Sequence, residues 1–545
     1  MKLKFSYNPR PLRNLEIESR KRALEIFRGT LPPQRSARKD DCLSAKREFR
    51  LCSEARRSRV EKCPARGGIT IFKGINSLLI IISLSLILGS IGIASAASPT
   101  TLPDPDHIRY KPLSFEPPRA ERLRLENGML LYILPDKELP LVNIKVVVRT
   151  GSMYDPAGRE GVAELTADLM GTGGVAGMSG DAVDETLESM AATFDASVNR
   201  ESGNLSFSVL KKDLDLGFDL FSRILTQPSF EEMKLTLAKD LKLEELRRIM
   251  DDPQKLAFRE FGRLMHGGSP RGRVTTSASI RSIQRDDLLG CHKLFYHPEN
   301  MMIAISGDID IPEAKTLVER YLGGWNSSER RPETPPLPRQ QDGGIYFLTK
   351  DVPQSIVIFG WLAPAKRDAQ FYPFEVLDFI IGGGGFRSRI FQEIRTNLGL
   401  AYSTGSFYKP KGDYGLFGAY ALTKSASTVQ VISRIREIFR EMGQKPVSPE
   451  ELEGAKRAIL NSFIFSFTSA EKIAFRQMMI EYESLPDDYL LTYRSKIESV
   501  TAADIRDTVV RLGPKRETLL IVGNDDVYRE IAAKFGKVFR VEAKF

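Results

Sequence analysis

Glu164 and Asp168 stand one helical turn apart in residues 151–174, GSMYDPAGREGVAELTADLMGTGG, where Val162, Leu165 and Leu169 recur at helical spacing behind a loop holding Pro156 and Gly158. Carboxylates at i and i+4 share a helix face. With a third acid they could hold a hard cation, and three oxygens favour Mg²⁺, Ca²⁺ or Mn²⁺ over zinc. The same pair also reads as a plain solvated acidic face. His107, His266, His292 and His297 are the histidines of the chain, and none makes H-x-x-x-H or its inverse with a nearby Glu. The glycine run 382–385 is no phosphate loop, since no G-K-[ST] follows and the residues before it read as a helix. It reads as a turn or a substrate-side loop.

The elements that carry these residues are grouped rather than strictly alternating. Strands are expected at 129–134 and 141–149, then the opening helix, a second helix at 183–192 and a strand at 204–210. Amphipathic helices follow at 214–225 and 230–265, with a break near Pro253, and the strand 302–306 closes the unit. The proline-rich RPETPPLPR at 331–339 marks a boundary, after which the pattern restarts. MMIAISGDIDIPEAKTLVERYLG near residue 301 parallels LLIVGNDDVYREIAAKFG near residue 519, an offset of about 217 residues. Ser282-Ile283 with Asp287-Leu288 resembles Ser499-Val500 with Asp504-Ile505, and two strands (344–348, 355–360) with a helix (374–381) recur. The fold class is therefore α+β, two homologous halves, each a mostly antiparallel sheet with helices packed on one side. The expected organisation is a basic extension 1–73, a signal or anchor 74–97, a linker 98–122, a first half 123–328, a linker 329–342 and a second half 343–545.

The net charge of +9 over 545 residues invites a nucleic-acid reading. Residues 1–73, however, carry about 20 Lys and Arg against about 8 Asp and Glu, which leaves about −3 for the rest of the chain. The folded part has no bulk attraction for phosphate backbones, so no nucleic-acid partner is expected. Cys42, Cys52 and Cys63 lie in the leader at spacings that make no C-x-x-C pair, and Cys291 alone follows, so the folded part forms no internal disulfide. Lys73, the uncharged run 74–92 and Ala94-Ser95-Ala96 have the order of a secretory signal cleaved after Ala96. About 19 apolar residues also nearly suffice for a membrane anchor. The protein is expected to be exported, in the periplasm, or anchored facing that side.

The frame G-S-x-Y-D-P-x-G-x-x-G-x-A, followed by a helix ending in G-T, resembles the insulinase and pitrilysin family of zinc metallopeptidases, which includes the mitochondrial processing peptidases. Glu244-Glu245 followed by Asp251-Asp252-Pro253, YHPENMMIAISGD from Tyr296, and the duplication extend the resemblance from Leu123 to the C-terminus. In that family the opening helix carries H-x-x-E-H, two zinc-binding imidazoles and a Glu that activates water. Here those positions are Glu164, Ala167 and Asp168, and the family's third ligand falls on Glu245. A methyl group at Ala167 cannot take a proton from water, and neither flanking residue offers a nitrogen ligand.

The second half holds Ser388-Arg389-Ile390, Arg395 and Leu398-Gly399-Leu400-Ala401-Tyr402, which resembles the family's S-R-L-x-x-x-x-R-x-x-x-G-L-A-Y. The resemblance puts Arg395 and Tyr402 in the roles of the Arg and Tyr that face the zinc site across the cleft. A guanidinium and a phenol can donate to the oxyanion of a peptide under attack. Asp195-Ala196-Ser197-Val198 stands where the family adds an extended substrate to a sheet edge. It also reads as an ordinary edge strand guarded by Asp195 and Arg200.

The resemblance thus implies a non-catalytic subunit without a metal or cofactor of its own. Its expected partners are a related subunit with intact H-x-x-E-H, which would hold the zinc, and a peptide or unfolded polypeptide. The alternatives are a non-proteolytic peptide-binding or structural subunit, and an active peptidase with a carboxylate metal site.

Overall fold

The structure, a computed structural model, describes residues 116–327, 329–337 and 343–545. The leader, the apolar run with its Ala94-Ser95-Ala96 site, His107 and the three leader cysteines lie outside the described residues. Among the described residues no helix is long and apolar enough to cross a membrane.

The first half begins with strands β1 (Glu121–Arg124), β2 (Leu130–Pro135) and β3 (Leu141–Val148), then helices α1 (Val162–Thr172) and α2 (Gly180–Ser189). Strands β4 (Thr193–Val198) and β5 (Gly203–Leu210) form a hairpin, followed by α3 (Leu214–Thr226), α4 (Glu232–Asp251) and α5 (Pro253–His266). The helices α6 (Ser277–Ser282) and α7 (Arg285–Phe295), strand β6 (Met301–Gly307) and α8 (Ile311–Leu322) complete it.

The second half repeats this order. Strands β7 (Gly344–Thr349) and β8 (Gln354–Ala363) lead into α9 (Phe371–Asp378), which continues as a π-helical turn, Phe379–Gly383. A second π-helical segment, Phe391–Asn397, precedes β9 (Ala401–Pro410) and β10 (Gly415–Lys424). Then come α10 (Thr428–Gln444), α11 (Pro449–Ile464), α12 (Ala470–Tyr482), α13 (Tyr489–Glu498), α14 (Ala502–Leu512), β11 (Thr518–Gly523), α15 (Asp525–Phe535) and β12 (Val538–Arg540).

The described strands make two six-stranded sheets, ordered β1-β2-β6-β3-β5-β4 and β12-β7-β11-β8-β10-β9. From the second position inward the orders match strand for strand. All pairs are antiparallel except β2–β6, β11–β7 and β12–β7. The uninterrupted MMIAISG of β6 is buried throughout because it lies between two strands with both faces covered, whereas β4, at an edge, exposes alternate residues. The α+β duplication expected from the repeats is the observed architecture.

One face of each sheet is covered by helices of its own half, and the other by a helix from the opposite half. Leu256, Ala257, Phe261 and Met265 of α5 pack on Ile356, Ile358, Leu520 and Val522 of the second sheet. Ile473, Ala474 and Met478 of α12 pack on Tyr132, Val147, Met302 and Ala304 of the first. Each such fully buried large side chain contributes about 1.5–3 kcal/mol, so this exchange of helices joins the halves. Contact is tight at Gly360, where a Cβ would come within 2.1 Å of Phe261 Cζ.

Some boundaries differ from the sequence reading. The second helix begins at Gly180, capped by Ser179, whose side chain accepts from the Ala182 N–H, and it stops before Met190 rather than running to Ala192. The long helix divides at Asp252, which caps α5 by accepting from Gln254 and Lys255. The helix expected at 374–381 starts at Phe371 and turns π-helical after Asp378. Gly382 there backs onto β9 so closely that a Cβ would meet Ser406 N at 2.1 Å. The glycine run is thus a close backbone approach.

Candidate functional site

Helix α1 starts from Gly161 at φ 113°, with no capping side chain of its own. Asp155 supplies the cap from the preceding loop, accepting from Gly161 N at 2.8 Å and Ala163 N at 2.9 Å. Burial pushes its carboxyl up to about 7 against the pull of these two N–H groups. One turn on, Ala167 is buried, Glu164 is half-buried and Asp168 is exposed.

Helix α4 packs beside α1 and brings Lys242 to this face. Its ammonium pairs with Glu164 and, at 2.8 Å, with Glu245 Oε2. Desolvation works to lower the Lys242 pKa, yet Glu164 and Glu245 outweigh it and the net shift is upward. Asp168 keeps an edge in solvent, but desolvation first and Glu164 second hold its carboxyl at about 6. Glu244 pairs with Arg248 at 3.4 Å, while Glu245 turns instead to Lys242.

The three acids of the expected hard-cation cluster do not stand together free of other charges. A fixed organic cation already bridges two of them, and among the described residues no group of three or more His, Cys, Asp or Glu is placed to hold a metal ion. Zinc does not fit here: there is no imidazole, and a methyl group occupies the position of the base. Lys242 escaped the sequence reading. The available signal was its place one turn before Glu245, on the helix face that must meet α1.

The cleft over this helix pair has a volume of about 270 Å³ and is lined by Glu164, Lys242, Glu245, Val198, Arg200 and Arg259 among others. Val198 ends β4, so the edge-strand stretch and the altered helix border one cleft. Asp195 and Ser197 are exposed, Ala196 and Val198 half-buried, and among the described residues β4 pairs only with β5. Arg200 does not guard this edge. Its guanidinium lies within 3.4 Å of the His266 ring, in a polar network between the halves. There Arg271 bridges Glu201 at 3.0 Å and Asp413 at 2.7 Å, and His266 accepts from the Tyr414 hydroxyl at 2.8 Å.

Arg395 lies in the π-helical segment 391–397 and Tyr402 near the start of the edge strand β9. The guanidinium carbon sits 4.6 Å from the Tyr402 ring centroid and 4.8 Å from that of Phe391. Tyr402 is 80% exposed. Arg389 of the same motif is engaged elsewhere, forked onto Glu451 at 2.8 and 2.6 Å. Among the described residues Arg395 has no carboxylate partner, and no hydrogen bond joins Arg395 or Tyr402 to Glu164, Asp168, Lys242 or Glu245.

Two matched α+β halves, with Lys242 between Glu164 and Glu245 in one and an Arg395–Tyr402 stack in the other, make a duplicated α+β fold. Residues 133–273 match the model of the insulinase family, peptidase family M16, and residues 282–459 that of the peptidase M16 inactive domain. The chain belongs to the insulinase (peptidase M16) family. It is 26% identical over 415 residues to an uncharacterized zinc protease of Rickettsia bellii, covering 74% of this chain and 97% of the relative. A solved peptidase M16 inactive domain from Pseudomonas fluorescens superposes with a TM-score of 0.69 at 21% identity, over 74% of this chain and 98% of that one. The periplasmic protease PqqL from Escherichia coli superposes with a TM-score of 0.65 at 16% identity, over 82% of this chain and 51% of PqqL.

Proposed function

We propose that this chain is the non-catalytic subunit of an exported two-subunit peptidase. It would present Arg395 and Tyr402 to a peptide held at a related subunit with intact H-x-x-E-H, and water activation would be left to that partner. The observation that carries this reading is Lys242: its ammonium, between Glu164 and Glu245, stands where a metal would, and Ala167 on the same helix as Glu164 offers no base. Meanwhile, among the described residues, no carboxylate pairs with the donors of Arg395 and Tyr402, as an oxyanion-binding pair requires. The exposed edge β4 suits backbone pairing with an extended peptide through residues 195–198. Export is supported by the apolar run ending in Ala94-Ser95-Ala96 and by the likeness to a periplasmic protease.

The test is purification from the native source. The expected result is a complex with an H-x-x-E-H chain, zinc in that chain alone, and peptidase activity only when both are present. Peptidase activity of this chain alone, sensitive to chelators, would overturn the reading. A complex that binds peptide without cleaving it would favour the peptide-binding subunit instead.

A further inference from the structure

In the second half, α9, α11 and α12 frame a cavity of about 290 Å³ that is the internal counterpart of the cleft over α1 and α4. In the first cleft α4 contributes Lys242, Glu245, Leu246 and Ile249. In the second α11 contributes Ile459, Ser462 and Phe463, and the 3₁₀ turn 465–467 that continues it adds Ser466, at the same i, i+3, i+4, i+7 spacing. Arg259 of α5 corresponds in the same way to Arg476 of α12, and Glu164 of α1 to Glu375 of α9.

The charges of the first cleft are satisfied within the chain. Glu164 holds Lys242, and Arg259 binds Glu260 at 2.8 Å and donates to the Thr275 carbonyl at 2.6 Å. In the second cavity the Lys has become Ile459. Among the described residues neither the Glu375 carboxylate nor the Arg476 guanidinium has a hydrogen-bond or ion-pair partner, although both line the cavity. Asp378, one turn from Glu375, is held by the Ser406 hydroxyl at 2.6 Å. Phe379, Phe463 and Tyr493 supply apolar wall.

We propose that this cavity binds a small zwitterion, a free α-amino acid with an apolar side chain, its ammonium against Glu375 and its carboxylate against Arg476. One water takes about 30 Å³, so the volume is on the order of ten waters and suits a molecule of that many heavy atoms. A hard divalent cation is disfavoured, since it needs six to eight oxygens and would share the cavity with a guanidinium. Desolvation first, and Asp378 second, hold the Glu375 carboxyl at about 7 against the weaker pull of Lys366 and Arg476, a penalty that an ammonium hydrogen-bonded to it would relieve. The proposal does not depend on the partner-subunit reading.

The test is thermal melting and calorimetry of the full chain with L-phenylalanine and L-leucine. Phenethylamine, 3-phenylpropionate and MnCl₂ serve as probes that lack the carboxylate, the ammonium or both. Saturable stabilisation by an amino acid is expected, weakened about tenfold or more for either half-molecule and in E375Q and R476M. Ser462→Trp, at an exposed rim position, should abolish it without touching either charge, which covers the case of a charge variant that misfolds. No stabilisation by either amino acid, an effect unchanged in all three variants, or a response to Mn²⁺ alone would each overturn the proposal.

Discussion

The Lys242 ammonium reaches Glu245 at 2.8 Å on its own helix and Glu164 on the neighbouring one, so a side chain does here what a bound cation would do, neutralising the acids between α1 and α4. Replacing Lys242 with Met leaves Glu164, Asp168 and Glu245 facing one another. The chain should lose about 1–3 kcal/mol at pH 7.5, as expected for stranding partly exposed carboxylates. Asp168, already at about 6, should rise further once Lys242 no longer lowers it. The folded state of the variant then binds the additional proton, and its deficit should shrink below pH 6. Urea titrations at pH 5.5 and 7.5 measure this. Dialysis against EDTA should leave wild-type melting unchanged.

The exchange of α5 and α12 between halves gives a second expectation. A methyl group at Gly360 would strike the Phe261 ring at 2.1 Å, so Gly360→Ala should cost about 1–3 kcal/mol by overpacking. Phe261→Ala alone should cost about 3–5 kcal/mol. The double variant should be less destabilised than the sum, because the truncated side chain frees the space that the methyl group needs. A double-mutant cycle by denaturant unfolding checks it, and additive losses would show that α5 is not seated on Gly360.

Much of this arrangement was legible in the sequence, and the rest was not, for identifiable reasons. The duplication showed because β6 and β11 are both long apolar runs leading through an acidic turn into a helix, a pattern that central strands impose. The break at Asp252-Pro253 was explicit, since Pro suits N1 of a helix and nothing further in. The apolar stripe of α5 announced a buried face but not which sheet would bury it, because periodicity carries no information about the partner. Lys242 stood among Lys239, Arg247 and Arg248 on a charged helix, and only the packing of α4 on α1 singles it out. Arg395 and Tyr402 were found by their motif, yet the motif did not reveal a ring stacked on a guanidinium.

His266 makes the junction between halves sensitive to acid. Its Nδ1–H donates to the Gly262 carbonyl at 2.6 Å and its Nε2 accepts from Tyr414 at 2.8 Å, so the neutral ring is the bonded form. Desolvation first, then Arg200, with smaller contributions from Arg271 and Lys411, lower its pKa to about 4. An unfolded chain protonates this histidine near pH 6.5 and the folded chain does not until about 4. In between, the unfolded state binds more protons and stability falls as pH falls. Wild type should lose up to about 3 kcal/mol relative to His266→Gln over that window. Equal slopes for the two proteins would remove His266 from the account.

The last expectation concerns Arg395 and Tyr402 in the proposed complex with an H-x-x-E-H subunit. The guanidinium is packed between the Phe391 and Tyr402 rings, 4.8 and 4.6 Å from their centroids, which fixes its plane and sets the phenol on an exposed edge strand. Donors held in this way need no reorganisation when charge develops on a peptide oxygen. Tyr402→Phe removes one donor and leaves the stack, so kcat should fall about tenfold to a thousandfold while assembly is unchanged. Arg395→Lys keeps the charge but loses the planar fork, and should fall comparably. Arg395→Ala removes both the donor and the stack that orients Tyr402, so its loss should exceed that of Tyr402→Phe and combine with it less than additively. Subunit affinity by calorimetry and single-turnover rates on one peptide separate these effects. Full activity in both Tyr402→Phe and Arg395→Ala complexes, with normal assembly, would mean that the stack only shapes the surface of β9 and that the chain serves its partner by binding alone.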